Sequence, residues 1–141
     1  MLGSPAAWFY SHLGGLQLPT YPNATGWRYF HIQPSVLEHL GSASVSLQTP
    51  AGSVGSEWRV DCSTGSYFMN TTVPTGSTAR VRFDLSVCNA ASITVEESGQ
   101  TVWGNEGYRP GVAGVLEGWK DVNHIYLLVA SGVYSFQIHV A

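Results

Sequence analysis

Large apolar and polar side chains alternate in the stretch Tyr134-Ser135-Phe136-Gln137-Ile138-His139-Val140, close to the end of a chain of 141 residues. Successive side chains of an extended strand point to opposite faces, so the four large apolar side chains of this stretch would share one face. A strand with one apolar and one polar face is typical of an antiparallel sheet that covers a core on one side. The stretch therefore predicts a half-buried strand.

The same period of two recurs upstream, in runs bounded by Gly, Pro, Ser and Asn. About eight such strands with short turns predict a mainly β fold, an antiparallel β-sandwich of jelly-roll type, over residues 29–141. The predicted inward side chains are Val45 and Leu47; Val54, Ser56, Trp58 and Val60; Tyr67, Met69, Thr71 and Val73; and Val81, Phe83 and Leu85.

The stretch from Gly104 to Asn123 departs from this alternation. It is rich in Gly and contains Pro110. A segment of this length without a periodic pattern predicts a functional loop or an irregular excursion from the sandwich.

The beginning of the chain predicts a short α-helix, which we place in residues 1–16. Ser4 is a good N-cap, Pro5 suits the first helical position, and Gly14-Gly15 would end the helix. Prolines and Asn then disfavour regular structure, so residues 17–28 are predicted to be a linker.

One face of this predicted helix carries Trp8, Phe9 and Leu13. A helix of about ten residues is marginal alone in water, because its stability comes mainly from packing. These three side chains are therefore predicted to dock on another element.

Charge and hydropathy exclude two classes of partner. The net charge is −3 and Lys and Arg together number six, scattered along the chain, whereas nucleic acids and anionic membranes select clustered basic residues. No apolar run approaches the roughly 20 residues that span a bilayer. The residues from Met1 to Pro5 lack the basic region of a secretory signal, so we predict no signal peptide in this chain.

Two features would have meaning mainly in an exported protein. Cys62 and Cys88 could form one disulfide in an oxidising compartment, or could be two buried free thiols. Asn23-Ala24-Thr25 and Asn70-Thr71-Thr72 are acceptor sequences for N-glycosylation, so Asn23 and Asn70 are candidate modification sites.

No catalytic, metal or cofactor site is predicted. Glycoside hydrolysis needs two carboxylates across one bond. Glu96 and Glu97 are adjacent, but neighbours on a strand point to opposite faces, and we interpret them as solvated charge at a strand end. The five histidines lack metal-ligand spacing, and no Gly-x-Ser-x-Gly nucleophile motif is present.

The remaining candidates are aromatic. Trp103, Tyr108 and Trp119 lie in or beside the irregular stretch and could form a platform on which sugars stack. Alternatively, these rings cover the edge of the sandwich. The first interpretation would make the chain a small carbohydrate-binding module.

Seven short stretches together carry a family resemblance. They are Gly3–Tyr10 with Leu13–Leu16, Gly26–Pro34, Thr49–Gly52 with Ser56–Trp58, Thr72–Ala79, Glu97–Gly99 with Val102–Trp103, Gly111–Val115 and Ser131–Phe136. In this order they resemble the end of α-L-rhamnosidases of glycoside hydrolase family 78, most closely fungal members. The turn in Thr72–Ala79 departs from the family, which usually has a second Pro and an Asn there.

The resemblance implies that catalysis and structural support belong to different domains of the parent enzyme. It identifies residues 1–16 as the final helix of an (α/α)6 barrel and residues 29–141 as the C-terminal β-domain that packs on it. The family's inverting hydrolysis of terminal α-L-rhamnosides uses acidic residues of the barrel, so no catalytic residue is expected here. The implied partners are the missing (α/α)6 catalytic domain and a rhamnosylated glycan, and the implied parent enzyme is secreted.

Overall fold

A computed structural model of the protein describes residues 15–17, 28–36, 40–89 and 92–140. These residues form twelve strands and a 3-10 turn at Val87–Asn89. The strands are β1 (Leu16–Gln17), β2 (Tyr29–Ile32), β3 (Ser42–Thr49), β4 (Gly52–Asp61), β5 (Ser66–Val73), β6 (Thr78–Asp84), β7 (Ile93–Glu97), β8 (Gln100–Gly104), β9 (Gly107–Tyr108), β10 (Val115–Lys120), β11 (His124–Val129) and β12 (Gly132–Val140).

The strands form two sheets. The five-stranded sheet has the order β1-β2-β6-β11-β10, and the seven-stranded sheet has the order β3-β4-β5-β12-β7-β8-β9. Strands β2 and β6 are parallel, with Phe30 opposite Ala79, and the other described pairs are antiparallel.

The core lies between the inward faces of the two sheets. Phe83 on β6 and Phe136 on β12 meet edge to face, with ring centroids 5.2 Å apart. Trp58, Tyr67 and Phe30 are fully buried beside them. This packing confirms the predicted antiparallel sandwich. The inward side of every run predicted from alternation is confirmed as well, although Leu47 and Leu85 are only half-buried and the side chain of Val140 lies outside the described part.

The start of the sandwich differs from the prediction. Leu16 and Gln17 pair with Ile32 and His31, and Leu16 is buried, so the described sheet includes β1, upstream of the predicted start at residue 29. Gly15 has a φ of 71° and its carbonyl accepts a hydrogen bond from the Gln33 N–H at 2.9 Å. This left-handed conformation turns the chain into β1 instead of continuing a helix.

The rest of the predicted helix and most of the predicted linker, including Trp8, Phe9, Leu13 and Asn23, lie outside the described residues. The described residues contain no α-helix. No described helix is long and apolar enough to cross a membrane.

The stretch from Gly104 to Asn123 is more regular than predicted, since it contains β9 and β10. Strand β10 lies at the edge of its sheet, and its register with β11 shifts between Val115 and Glu117. Leu116 is exposed, and the inward position of Gly118 carries no side chain. Alternation is therefore absent from the sequence although the backbone is a strand.

Cys62 and Cys88 form a disulfide, with Cα atoms 5.3 Å apart. Cys62 follows β4 of the seven-stranded sheet, and Cys88 lies in the 3-10 turn after β6 of the five-stranded sheet. Of the two alternatives left open by the sequence, the bridge is the one formed. It ties the two sheets together at one end.

Candidate functional site

Aromatic and cationic side chains cover the outward face of the five-stranded sheet. They alternate with the buried core positions of the same strands, so they point away from the core. This Arg–aromatic face consists of Tyr29 and His31 on β2, Arg80 and Arg82 on β6, Tyr126 on β11 and Trp119 on β10.

Arg80 lies at the centre of this face. Its guanidinium carbon is 4.9 Å from the centroid of the Tyr126 ring. Its Nη2 donates to Gln33 Oε1 at 2.8 Å and contacts His31 Nδ1 at 3.3 Å. The amide of Gln33 in turn donates to Gln17 Oε1 at 2.9 Å. The guanidinium is thus fixed by a cation–π contact and by hydrogen bonds in its plane.

Trp119 and Tyr126 form the aromatic part of the face. Their rings stack with centroids 5.5 Å apart and planes inclined by 15°. The Tyr126 hydroxyl donates to Asp121 Oδ2 at 2.9 Å. Hydrogen bonds from the Asn123 N–H and from Tyr126 lower the pKa of Asp121. Asp121 is therefore a stable anion that anchors the Tyr126 ring under Trp119.

His31 is held in its neutral form. Burial, together with the charges of Arg80 and Arg82, lowers its pKa from 6.5 to about 4. A neutral ring can accept the hydrogen bond from Arg80 at Nδ1, which places the proton on Nε2. That Nε2 atom and the Nε of Arg80 are buried and have no hydrogen-bond partner among the described residues.

The three aromatic residues predicted from the sequence lie in two places. Trp103 and Tyr108 are cross-strand partners in β8 and β9, and Trp103 is only 8% exposed. The Tyr108 hydroxyl donates to the Val115 carbonyl at 3.3 Å, and its ring fills the space beside Gly118. Trp119 instead lies on the outward side of β10. The structure brings the first two together at the edge between the sheets and places the third on the Arg–aromatic face.

A cleft of about 350 Å³ opens at the end of the sandwich beside Trp103. Asn105, Lys120 and Ile125 also line it. Trp103 therefore forms part of the wall of this cleft.

The adjacent acids Glu96 and Glu97 point to opposite faces, as predicted. Glu96 contacts His139 Nε2 at 3.1 Å on the outer side. Glu97 is 8% exposed, so its interpretation as solvated charge is wrong. Its carboxylate accepts hydrogen bonds from the Ser135 N–H at 3.1 Å and from the Ser98 hydroxyl at 2.5 Å. Glu97 therefore joins β7 to β12.

In four of the clefts formed by described residues, no pair of opposed carboxylates is present. Among these four, only one has a carboxylate in its lining, that of Glu57. Within the described ranges, no group of three or more His, Cys, Asp or Glu side chains could hold a metal ion.

The central residues of the Arg–aromatic face were not singled out from the sequence. Arg80, His31 and Tyr126 lie on strands far apart in the chain, and their meeting depends on the parallel pairing of β2 with β6 and on the place of β11 beside β6. The one indication in the sequence is that Arg80 and Arg82 alternate with inward apolar residues and therefore point outward. That signal shows where the two side chains point but not what lies beside them.

Comparison with known proteins shows the family of this chain. Residues 15–97, more than half of the chain, match the family described as "Bacterial alpha-L-rhamnosidase C-terminal domain". The chain belongs to this family. The matched region begins beside β1, in agreement with the observed start of the sandwich.

Relatives of this α-L-rhamnosidase C-terminal domain are much longer proteins. An α-L-rhamnosidase of Formosa agariphila is 28% identical over 135 residues, which is 96% of this chain and 13% of the relative. The chain thus spans about an eighth of that relative.

Three solved structures share the fold. An α-L-rhamnosidase from Dictyoglumus thermophilum aligns with a TM-score of 0.72 and 22% identity over 94% of this chain and 13% of its own. The enzyme of Streptomyces avermitilis, solved with L-rhamnose, has a TM-score of 0.65 and 18% identity over 93% of this chain and 10% of its own. That of Aspergillus terreus has a TM-score of 0.53 and 22% identity, covering 96% and 11%.

Proposed function

We propose that this chain is a non-catalytic accessory domain of a secreted α-L-rhamnosidase and that it supports the catalytic (α/α)6 barrel by docking through its Arg–aromatic face. Membership of the C-terminal domain family is the observation that carries the proposal. The Formosa agariphila relative has 87% of its length outside the match, since the match covers 13%. In this proposal, that remainder corresponds to the part of the enzyme that performs the chemistry.

The composition of the Arg–aromatic face supports its role in docking. Trp, Tyr and Arg are enriched among the residues that dominate the binding energy of protein interfaces. Trp119, Tyr126 and Arg80 already restrain one another, so little further ordering would be needed on binding. On the seven-stranded sheet, the outward side of the edge strand β3 carries small polar side chains, such as Ser42, Ser44 and Ser46.

The path of the chain also favours this face. Strand β1, the first described element, lies at the edge of the five-stranded sheet, beside β2. The described chain therefore enters the sandwich at the sheet that carries the Arg–aromatic face. The positive charges of Arg80 and Arg82 predict carboxylate or carbonyl groups on the surface that docks there.

The reaction we assign to the whole enzyme is the inverting hydrolysis of terminal α-L-rhamnosides, as in glycoside hydrolase family 78. Inversion needs a general acid, whose pKa is raised, and a base that activates water. Hydrogen bonds from Ser63 and from Asn123 lower the pKa values of Asp61 and Asp121, respectively, which is the wrong direction for an acid. Following the family resemblance, we assign both catalytic groups to the barrel.

A turnover assay tests the absence of catalysis. The purified chain should release no rhamnose from a chromogenic α-L-rhamnoside at any pH between 4 and 8. Saturable turnover that survives repeated purification would contradict the proposal.

The docking face is tested in the longer protein encoded by the open reading frame around this chain. Trp119 and Phe68 are both 37% exposed but lie on opposite sheets, so they form a matched pair. Trp119→Ser should lower the melting temperature of the enzyme or release the domain after a proteolytic cut between the two parts. Phe68→Ser should do neither, provided that both variants are made in protein without N-linked glycans. Equal effects of the two variants would refute the proposal. So would an open reading frame that encodes no barrel domain upstream of this chain.

The exposed Trp119 ring also supports a second candidate function, carbohydrate binding. A flat aromatic surface is the kind of platform on which a pyranose stacks. Under the docking proposal, titration of the isolated chain with rhamnose or rhamnosylated glycans leaves its Trp fluorescence unchanged. Saturable quenching that disappears in Trp119→Ser would favour the binding module instead.

A further inference from the structure

We propose that Asn70 carries an N-linked glycan and that the first N-acetylglucosamine of this glycan packs on Phe68. Asn70 begins the sequence Asn70-Thr71-Thr72 on β5. It alternates with the buried Met69 and Thr71, so its exposed amide points outward from the seven-stranded sheet. The acceptor nitrogen is thus placed where a sugar can be held without disturbing the core.

An aromatic ring lies beside this amide. Phe68 is two residues before Asn70 on the same strand, so both side chains share the outward face. Phe68 is 37% exposed although it is fully apolar. The less polar face of a pyranose ring, lined by C–H groups, packs well on such a ring. The sugar would therefore cover apolar surface that the chain itself leaves open.

Together the two residues form part of a groove. It has a volume of about 260 Å³ and is lined by Glu57, Arg59, Phe68, Asn70 and Ser135. Strand β4 supplies Glu57 opposite Asn70 and Arg59 opposite Phe68, and β12 supplies Ser135 on the other side. The groove is thus the size of one monosaccharide, with an apolar floor and charged groups that can bind the acetamide and hydroxyl groups of the sugar.

The present hydrogen bond of Asn70 is compatible with the modification. Its Nδ2 donates one proton to Glu57 Oε1 at 3.0 Å. Transfer from a lipid-linked pyrophosphate oligosaccharide forms a bond between Nδ2 and C1 of the sugar and breaks the bond between C1 and the pyrophosphate oxygen. The lipid pyrophosphate leaves, and the amide gives up one proton. The second amide proton remains to donate to Glu57, which would orient the linkage.

The disulfide is consistent with the compartment in which the transfer occurs. Bridges such as that between Cys62 and Cys88 form and persist in oxidising environments, including the lumen of the endoplasmic reticulum. Attachment of N-linked glycans takes place in the same lumen. The glycan would lie on the sheet opposite the Arg–aromatic face, so it would leave docking unobstructed.

Occupancy is the first test. The full chain, in an Asn23→Gln background, is secreted from yeast and its peptides are analysed by mass spectrometry. We expect a glycan on the peptide that contains Asn70, its loss in Asn70→Gln and in Thr72→Ala, and its retention in Thr72→Ser. An unmodified Asn70 in secreted, disulfide-bonded protein would overturn the proposal and leave the docking function untouched.

The contact with Phe68 is tested separately. The chain secreted from yeast is trimmed to a single N-acetylglucosamine at Asn70. It is compared with the same chain produced in bacteria, which is disulfide-bonded but unglycosylated. The trimmed form should melt about 2–4 °C higher. This gain should vanish in Phe68→Thr and persist in Val133→Thr, which removes another exposed apolar side chain from the same face outside the groove. A gain that survives Phe68→Thr would refute the packing.

Discussion

Single residues at the ends of strands close the sandwich. The Tyr134 hydroxyl donates to the Ala130 carbonyl at 2.7 Å and lies within 3.4 Å of the Gly114 carbonyl. Its ring is buried and stacks beside Phe136, with centroids 5.9 Å apart. Gly114 has a φ of 84° and leaves room for the tyrosine ring. Tyr134 thus connects β12 to the turn that begins β10.

We expect Gly114→Ala to lower the free energy of unfolding by about 2–4 kcal/mol, because a left-handed conformation and a clash are combined. A Cβ at this position would lie 2.9 Å from Tyr134 Cε1. Gly111→Ala is the control, since Gly111 has a φ of 107° but no atom within 4 Å of the added Cβ. In urea unfolding, the free energy of unfolding of the control should fall by about 1–2 kcal/mol. Equal losses would show that Tyr134 does not require the glycine.

His31 makes stability depend on pH. Its pKa is about 4 in the folded protein and 6.5 unperturbed, so the unfolded chain binds the proton more tightly. The free energy of unfolding should therefore fall as the pH drops from 6.5 towards 4, by about 1–2 kcal/mol after allowance for partial solvation. In His31→Gln this part of the fall in the free energy of unfolding should be absent, whereas the parts that come from other titrating groups should remain. Parallel stability curves for the two proteins would contradict the assignment.

At the scale of elements, the two edge strands of the five-stranded sheet differ in burial. Strand β1 covers only Leu16 and Gln17, yet it pairs with β2 and buries Leu16 to 4% exposure. On the opposite edge of the same sheet, β10 exposes Leu116 and Trp119. The edge at β1 is therefore part of the core, whereas the edge at β10 is largely solvated.

Two truncations should separate the predicted helix from β1. Removal of residues 1–14 should leave the free energy of unfolding of the sandwich nearly unchanged. Removal of residues 1–17 should cost about 2–4 kcal/mol more, because it exposes the Leu16 pocket and the edge of β2. Thermal unfolding followed by circular dichroism measures both. Equal stability of the two truncated chains would show that β1 contributes nothing.

Alternation was sufficient to predict the inward faces of β4, β5, β6 and β12, because each of these strands has one buried side. It did not predict β1, which is too short to show a period, or β10, where Gly118 and a bulge remove the pattern. Periodicity assigns a side chain to a face but does not give the order of strands. The Arg–aromatic face depends on that order, so only Trp119 among its residues was a candidate beforehand.

The whole molecule is built by a chain that passes repeatedly between the two sheets. Strands β1 and β2 belong to the five-stranded sheet, β3 to β5 to the other, and the chain changes sheet again at β6, β7, β10 and β12. Consequently neither sheet is a contiguous segment, and the sandwich cannot divide into two independently stable halves.

The disulfide should stabilise this assembly. Cys62 and Cys88 are 26 residues apart, and closure of a loop of that size in the unfolded chain is worth about 3–4 kcal/mol. In the variant with Ser at both positions, the free energy of unfolding measured in urea should be lower by this amount. Reductant should shift the midpoint of the wild-type protein but not that of the variant. An unchanged midpoint of the wild-type protein in reductant would contradict the expectation.

The final strand has a consequence for biosynthesis. Strand β12 lies in the middle of the seven-stranded sheet, between β5 and β7, and it contributes Phe136 and Ile138 to the core. The sheet therefore stays open until all nine residues of the strand, Gly132–Val140, have left the ribosome. Folding must wait for termination or for downstream sequence to push β12 out of the exit tunnel. A nascent chain stalled with β12 inside the tunnel should remain sensitive to protease.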